Sequence, residues 1–159
     1  MNSETATALV AAAIETARGM GLSISVAIYD EGACMTAFHR MDDAMLGTVD
    51  VACRKAKTSV LFPLTTRDFG ALCRHEKLDG MLGTNEGLIG FAGGMPVPGG
   101  GAIGISGGSA DEDDQDADVD NTTAGGLFGW LGRDAEQRRG DHAVQENDCG
   151  FHKTPKTKN

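Results

Sequence analysis

Gly93-Gly94-Met95-Pro96-Val97-Pro98-Gly99-Gly100-Gly101-Ala102-Ile103-Gly104-Ile105-Ser106-Gly107-Gly108 is the stretch that decides the fold. Its glycines and prolines fall at turn spacing, with short β-compatible pieces between them. Met95 to Val97 reads as one strand and Ala102 to Ser106 as another, joined through Pro98 and three glycines. Pro96 has no N–H, so the first strand belongs at a sheet edge or turns that position away from the ladder. Ile103 and Ile105 share one side of the second strand, and Ala102, Gly104 and Ser106 the other. A face so small lets a helix, a neighbouring subunit or a flat ligand approach closely. Gly99, Gly101 and Gly104 also match G-x-G-x-x-G, but that fingerprint opens a helix and here it runs into Ile-Gly-Ile-Ser. No Gly-Lys-Ser/Thr follows, and Asp111-Glu112-Asp113-Asp114 would repel a phosphate. The stretch is a hairpin, not a nucleotide cradle.

At 159 residues the chain is expected to hold one domain with a core of its own. Aromatic residues make up 5% and glycines number 23, so that core must come from Ala, Val, Ile, Leu and Met. A net charge of -9 argues against nucleic acid and against anionic membrane surfaces as partners. No apolar run is long enough to cross a bilayer. Met-Asn-Ser-Glu lacks a basic start, so no secretion signal is expected. Cys34, Cys53, Cys73 and Cys149 form no C-x-x-C pair; reduced thiols and a cytoplasmic location are the expectation.

Ser3 is placed to cap a first helix with Leu9, Val10, Ala13, Ile14 and Ala17 as its stripe, ended by Gly19 and Gly21. Ser23 to Tyr29 alternates, with Ile24, Val26 and Ile28 on one face. Asp30-Glu31-Gly32 turns the chain into a returning strand from Ala33 to Met41. On it Cys34, Thr36, Phe38 and Arg40 share one face, and Met35, Ala37, His39 and Met41 the other. Leu46, Val49, Cys53, Ala56 and Val60 form the expected buried stripe of a second helix, with Arg54, Lys55 and Lys57 off it, and Pro63 stops it. A shorter helix capped by Thr65 or Thr66 carries Phe69, Leu72 and Cys73 inward. Leu88 to Ala92 is a strand candidate leading into the glycine hairpin. A mixed domain with a largely antiparallel sheet follows.

Several stretches together resemble one family. They are Val26-Ala-Ile-Tyr-Asp30 with Gly32, Arg40-Met-Asp42 with Ala44, and Lys55-Ala56 with Thr58. Gly93-Gly-Met-Pro-Val97 and Ala102-Ile-Gly-Ile-Ser-Gly-Gly108, followed by Asp111 to Gln115, complete the set. In order and spacing the chain is similar to the GlcG/HbpS-like proteins, the haem-degrading or DUF336 group, which includes the C-terminal domain of PduO-type corrinoid adenosyltransferases. The resemblance covers residues 5 to 115. It implies an α+β, profilin-like fold, a five-stranded antiparallel sheet flanked by helices, assembled into homo-oligomers. Some members bind haem, one extracellular member is implicated in haem breakdown and redox sensing, and others lie among genes for glycolate, propanediol or aromatic-compound catabolism. Fold transfers with such a resemblance; activity belongs to sites.

The candidate ligand-binding residues are His39, Arg40, Asp42, Lys55, Thr58, Gly93, Gly94 and Pro96. Arg40 and Asp42 form either a structural bridge or, through Arg40, a fork for a ligand carboxylate such as a haem propionate. Lys55 and Thr58 add to that fork if their helix end faces the same cleft. His39 shares its strand face with Met35 and Met41, and haem iron accepts His and Met; packed or solvated surface histidine is the plainer reading. His75, beside Glu76 and Lys77, is the second iron-ligand candidate. Cys73-Arg-His75 and Cys149-Gly-Phe-His152 lack zinc-site spacing, so no metal site is expected. No catalytic residue can be named. Asp116-x-Asp118-x-Asp120 starts like a calcium loop, but Asn121 replaces its glycine and Leu127 its bidentate Glu.

Residues 1–115 are therefore expected to form the domain and 116–159 a divergent, poorly ordered tail, polar beyond the island of Leu127, Phe128, Trp130 and Leu131. An altered reading frame, a recent extension, or a short helix docked through Phe128 and Trp130 each account for it. Three functions stay open. The first is capture of haem or a related tetrapyrrole or acidic ligand by a homo-oligomer. The second is an accessory enzyme or protective factor in a catabolic pathway (glycolate, diol or aromatic compound degradation). The third is a structural oligomerisation module.

Overall fold

The computed structural model describes residues 1–108. The acidic run, the Cys149–His152 pair and the tail from Asp116 lie outside the described residues. The order of elements is α1 (Ser3–Met20), β1 (Ser25–Tyr29), β2 (Met35–Arg40), α2 (Thr48–Leu61), α3 (Thr66–His75), a single 3-10 turn (Met81–Gly83), β3 (Gly94–Pro96) and β4 (Ala102–Ser106). The strands form one antiparallel sheet in the order β2-β1-β4-β3. Pro96 thus lies on an edge strand, as its missing donor requires. Gly99, Gly100 and Gly101 all take positive φ in the turn, which closes with the Val97 N–H donating to the Gly101 carbonyl at 2.9 Å.

Four strands, not five, are found among the described residues. Leu88 to Ala92 is not a strand, because its backbone is already spent elsewhere. The Leu88 N–H donates to the Leu82 carbonyl at 2.8 Å, and the Ile89 N–H to Thr58 Oγ1 at 3.0 Å. Leu88 is instead buried with Phe69 and Cys73 beside α3, where the Phe62 and Phe69 rings stack at 4.7 Å. Leu72, expected inside, stands at the surface, one position off that stripe.

One face of the sheet is a conventional core. Ile24, Val26, Ile28, Ile103 and Ile105 meet Leu9, Ala13 and Ala17 of α1. Burying each large aliphatic chain stabilises by roughly 1.5–3 kcal/mol. The α1 cap is Asn2, whose side chain accepts from the Thr5 N–H at 2.8 Å; Ser3 is the first helical residue. Gly21, at φ 72°, closes the other end.

The opposite face is built from small residues. Ala27 meets Ala52 and Ala56 of α2. A Cβ on Gly104 would stand 2.5 Å from the Ala56 nitrogen and closer still to the Ala52 carbonyl, and one on Gly94 would stand 2.7 Å from the Lys55 carbonyl. The helix backbone therefore lies directly on the sheet. This corrects the expected α2 stripe: Leu46 precedes the helix and is 79% exposed, and Val49, Cys53 and Val60 are only half-buried. Thr48, Ala52, Lys55, Ala56, Thr58 and Ser59 face inward instead. A helix pressed on glycine has no room for large side chains, so the apolar residues with the most volume are turned away.

Candidate functional site

Where α2 begins, the chain from β2 is held by hydrogen bonds at three successive points. The Arg40 guanidinium donates to the Ala44 carbonyl. Thr48 Oγ1 donates to the Met45 carbonyl at 2.6 Å, and the Thr48 N–H reaches the same oxygen at 3.1 Å. With its one proton so used, Thr48 Oγ1 accepts from Ser25 Oγ at 2.8 Å, which fastens the turn to β1. The backbone of the loop is fixed while its large side chains point away: Met45 is 72% exposed.

Beside this turn lies an open, largely apolar depression of about 420 Å³, lined among the described residues by Met45, Gly47, Thr48, Val51, Phe91, Ser106 and Gly108. Its size falls in the range of small-molecule sites, about 300–1,000 Å³. Phe91, half-exposed, forms one wall. Lys55 lies behind it, fully buried, with Nζ donating to the Ile105 carbonyl at 2.7 Å and 5.0 Å from the Phe91 ring centroid. A buried ammonium under a ring face is held by the carbonyl bond and by cation–π attraction together.

The residues singled out from the sequence do not converge on one place. Arg40 pairs with Ser25 in register, and Ser25 with Ser106, so Arg40 stands at the end of the sheet that borders the depression. No ion pair joins it to Asp42 among the described residues, and Asp42 is exposed in the loop. Pro96 pairs with Ala102 at the opposite end and the opposite edge. Thr58 is a structural clamp, donating to the Arg54 carbonyl at 2.7 Å and accepting from Ile89. The Gly94 N–H donates to Thr66 Oγ1 at 2.9 Å, and the Gly93 carbonyl accepts from Ile105 at 2.7 Å. Against Gly94 and Gly104 the space is taken by α2.

His39 lies opposite Val26, on the α1 side, and is exposed. The expected row of Met35, His39 and Met41 is broken by a register shift at β2: Met35 faces Tyr29 while Ala37 faces Ile28. Met41 turns inward, its sulfur 3.5 Å from the Ile24 nitrogen. His75 is exposed and bonded to Glu76 at 2.8 Å. Neither histidine lines the depression.

A smaller, polar recess of about 170 Å³ lies along α2, between Tyr29, Cys53 and the loop Asn85–Gly87. Asn85 and Glu86 both take positive φ without being glycine. Arg54 bonds the Glu86 carbonyl and Asp50, and Lys57 reaches Glu86 Oε2 at 2.9 Å, so the turn is pinned by two cations. That hydrogen bond from Lys57 holds the Glu86 carboxyl below its ordinary value. Burial pushes the Cys53 thiol up, a bond with Tyr29 pulls the other way, and the Asp50 charge adds to the rise. Burial likewise raises the Tyr29 phenol, with Cys53 next to it contributing. The recess therefore holds a protonated thiol, not a nucleophilic thiolate.

Residues 1–119 match the family described as haem degrading protein HbpS-like. The chain belongs to the HbpS-like family. Among solved structures, the Klebsiella pneumoniae DUF336 protein ORFY is similar at 26% identity and a TM-score of 0.72, over 75% of this chain and 86% of that one. A double mutant of Streptomyces reticuli HbpS is similar at 30% identity and a TM-score of 0.67, over 75% and 83%. The PduOC:heme complex matches at 29% identity and a TM-score of 0.63, over 70% and 85%. No curated protein matches the chain. As in those HbpS-like relatives, α+β architecture is established here, and among the described residues no helix is long and apolar enough to cross a membrane.

Proposed function

We propose that the protein binds haem, or a related flat ring carrying carboxylates, in the depression at the start of α2, as a homo-oligomeric ligand-capture protein. The observation that carries this is the exposed apolar wall of Met45, Val51 and Phe91 at a turn whose backbone is rigidly fixed. The haem-bound relative and the family's description support the same ligand.

The residues present fit such a group. A tetrapyrrole face favours aromatic and aliphatic surface, supplied by Phe91 and Val51. Its carboxylates favour the positive end of a 14-residue helix, and Gly47 and Thr48 of that end line the depression. The guanidinium of Arg40 lies next to the same loop. The depression is open, so a ring seated there keeps one edge in water. Haem, when bound, supplies the redox-active iron.

A haemin titration followed by absorbance tests this. The parent protein is expected to give a saturable Soret shift that Val51→Asp, placing a charge on the half-buried wall, weakens at least tenfold, or about 1.4 kcal/mol. An unchanged affinity in Val51→Asp would remove the depression as the site, and no shift in the parent would remove the haem reading.

A further inference from the structure

Resting on the haem reading above, we infer that the Met45 thioether is the axial ligand this chain offers to the iron. Three observations converge. Met45 is 72% exposed, so packing does not explain a large apolar side chain there. Its own carbonyl is held twice by Thr48, and the preceding carbonyl by Arg40, so the backbone from which the sulfur projects is fixed on both sides. It stands on the wall of the depression, together with the aromatic and aliphatic surface that a porphyrin face would cover.

The chemistry of the lining leaves a short choice. Iron in haem takes imidazole, thiolate, thioether or phenolate ligands from proteins. No His, Cys or Tyr is among the described residues that line the depression, and Met45 is the sole sulfur there. His39 is on the other side of the sheet and His75 is bonded to Glu76. Cys53 and Tyr29 belong to the separate polar recess, where the thiol is kept protonated. Fixing the backbone lowers the ordering cost of presenting a flexible thioether, which has three rotatable bonds of its own.

The test compares the haemin complexes of the full chain, Met45→Leu and Met45→His by near-infrared magnetic circular dichroism, electron paramagnetic resonance and redox titration. The parent is expected to show the charge-transfer band of a sulfur-ligated ferric haem. Met45→Leu keeps the apolar bulk and is expected to take up haemin more weakly, to lose that band and to have a lower reduction potential, since a thioether ligand raises it. Met45→His is expected to give an imidazole-ligated spectrum. Identical bands and potentials in the parent and Met45→Leu would overturn the assignment while leaving haem binding intact. Failure of the parent to bind haemin would overturn both. Thermal melts of the apo proteins confirm that a change at this exposed position leaves the fold in place.

Discussion

Replacing Gly104 with alanine puts one methyl group where α2 touches β4. The added Cβ would stand 2.5 Å from the Ala56 nitrogen and nearer to the Ala52 carbonyl, both backbone atoms that cannot rotate away. Ordinary contact begins at 3.4 Å, so the helix must retreat by nearly an ångström. It would draw away from Ala27 and from the Lys55 bond to Ile105. Overpacking a core costs about 1–3 kcal/mol, and obstruction by backbone belongs at the upper end. For a domain of this size that is a fall in Tm of roughly 10–20 °C. Calorimetry or a circular dichroism melt measures it, with Gly19→Ala as control. Gly19 lies inside α1 with nothing within 4 Å of its would-be Cβ, so alanine there should stabilise by about 0.5–1 kcal/mol. If Gly104→Ala melts within about 2 °C of the parent, the close seating of α2 on the sheet is wrong.

Two further predictions concern the polar recess. The Glu86 carboxyl is lowered by Lys57, so the clamp's contribution is present above the ordinary carboxylate pKa and is lost as pH falls through the lowered one. In Lys57→Met, carboxyl NMR should find Glu86 titrating higher, toward its ordinary value; an unmoved titration would refute the clamp. Cys34 is exposed and Cys53 is half-buried with a raised thiol, so peptide mapping after alkylation at neutral pH should find Cys34 modified first. The Cys53 rate should climb only above the usual thiol range, about 8.5. Equal rates at neutral pH would contradict its protonated state.

What the sequence made legible follows from where side chains carry the packing. Ile24, Val26, Ile28, Ile103 and Ile105 alternate because they fill a real core, and β1, β4 and α1 could be read from them directly. The α2 interface is carried by missing side chains, with Gly94, Gly104 and Ala27 against Ala52 and Ala56. Hydrophobic periodicity is blind to such a surface and settled on Leu46 and Val49 instead. The pair Ala52 and Ala56, four apart and opposite a glycine strand, was the available signal. Leu88 to Ala92 misled for a related reason: it is apolar because it packs on α3, where a Cβ on Gly70 would overlap the Gly90 carbonyl. Arg40 was readable as a residue of the site's border. Met45, Val51 and Phe91 were not, since a loop, a helix and an irregular segment bring them together only in the folded chain.

The sharpest test of where the ligand sits uses the paramagnetism of ferric haemin itself, added to isotope-labelled protein while backbone amide signals are watched. Selective broadening of Gly47, Thr48, Val51, Phe91 and Ser106 is the expected result. Broadening centred on His39, His75 or the Tyr29–Cys53 recess, with those amides untouched, would contradict it.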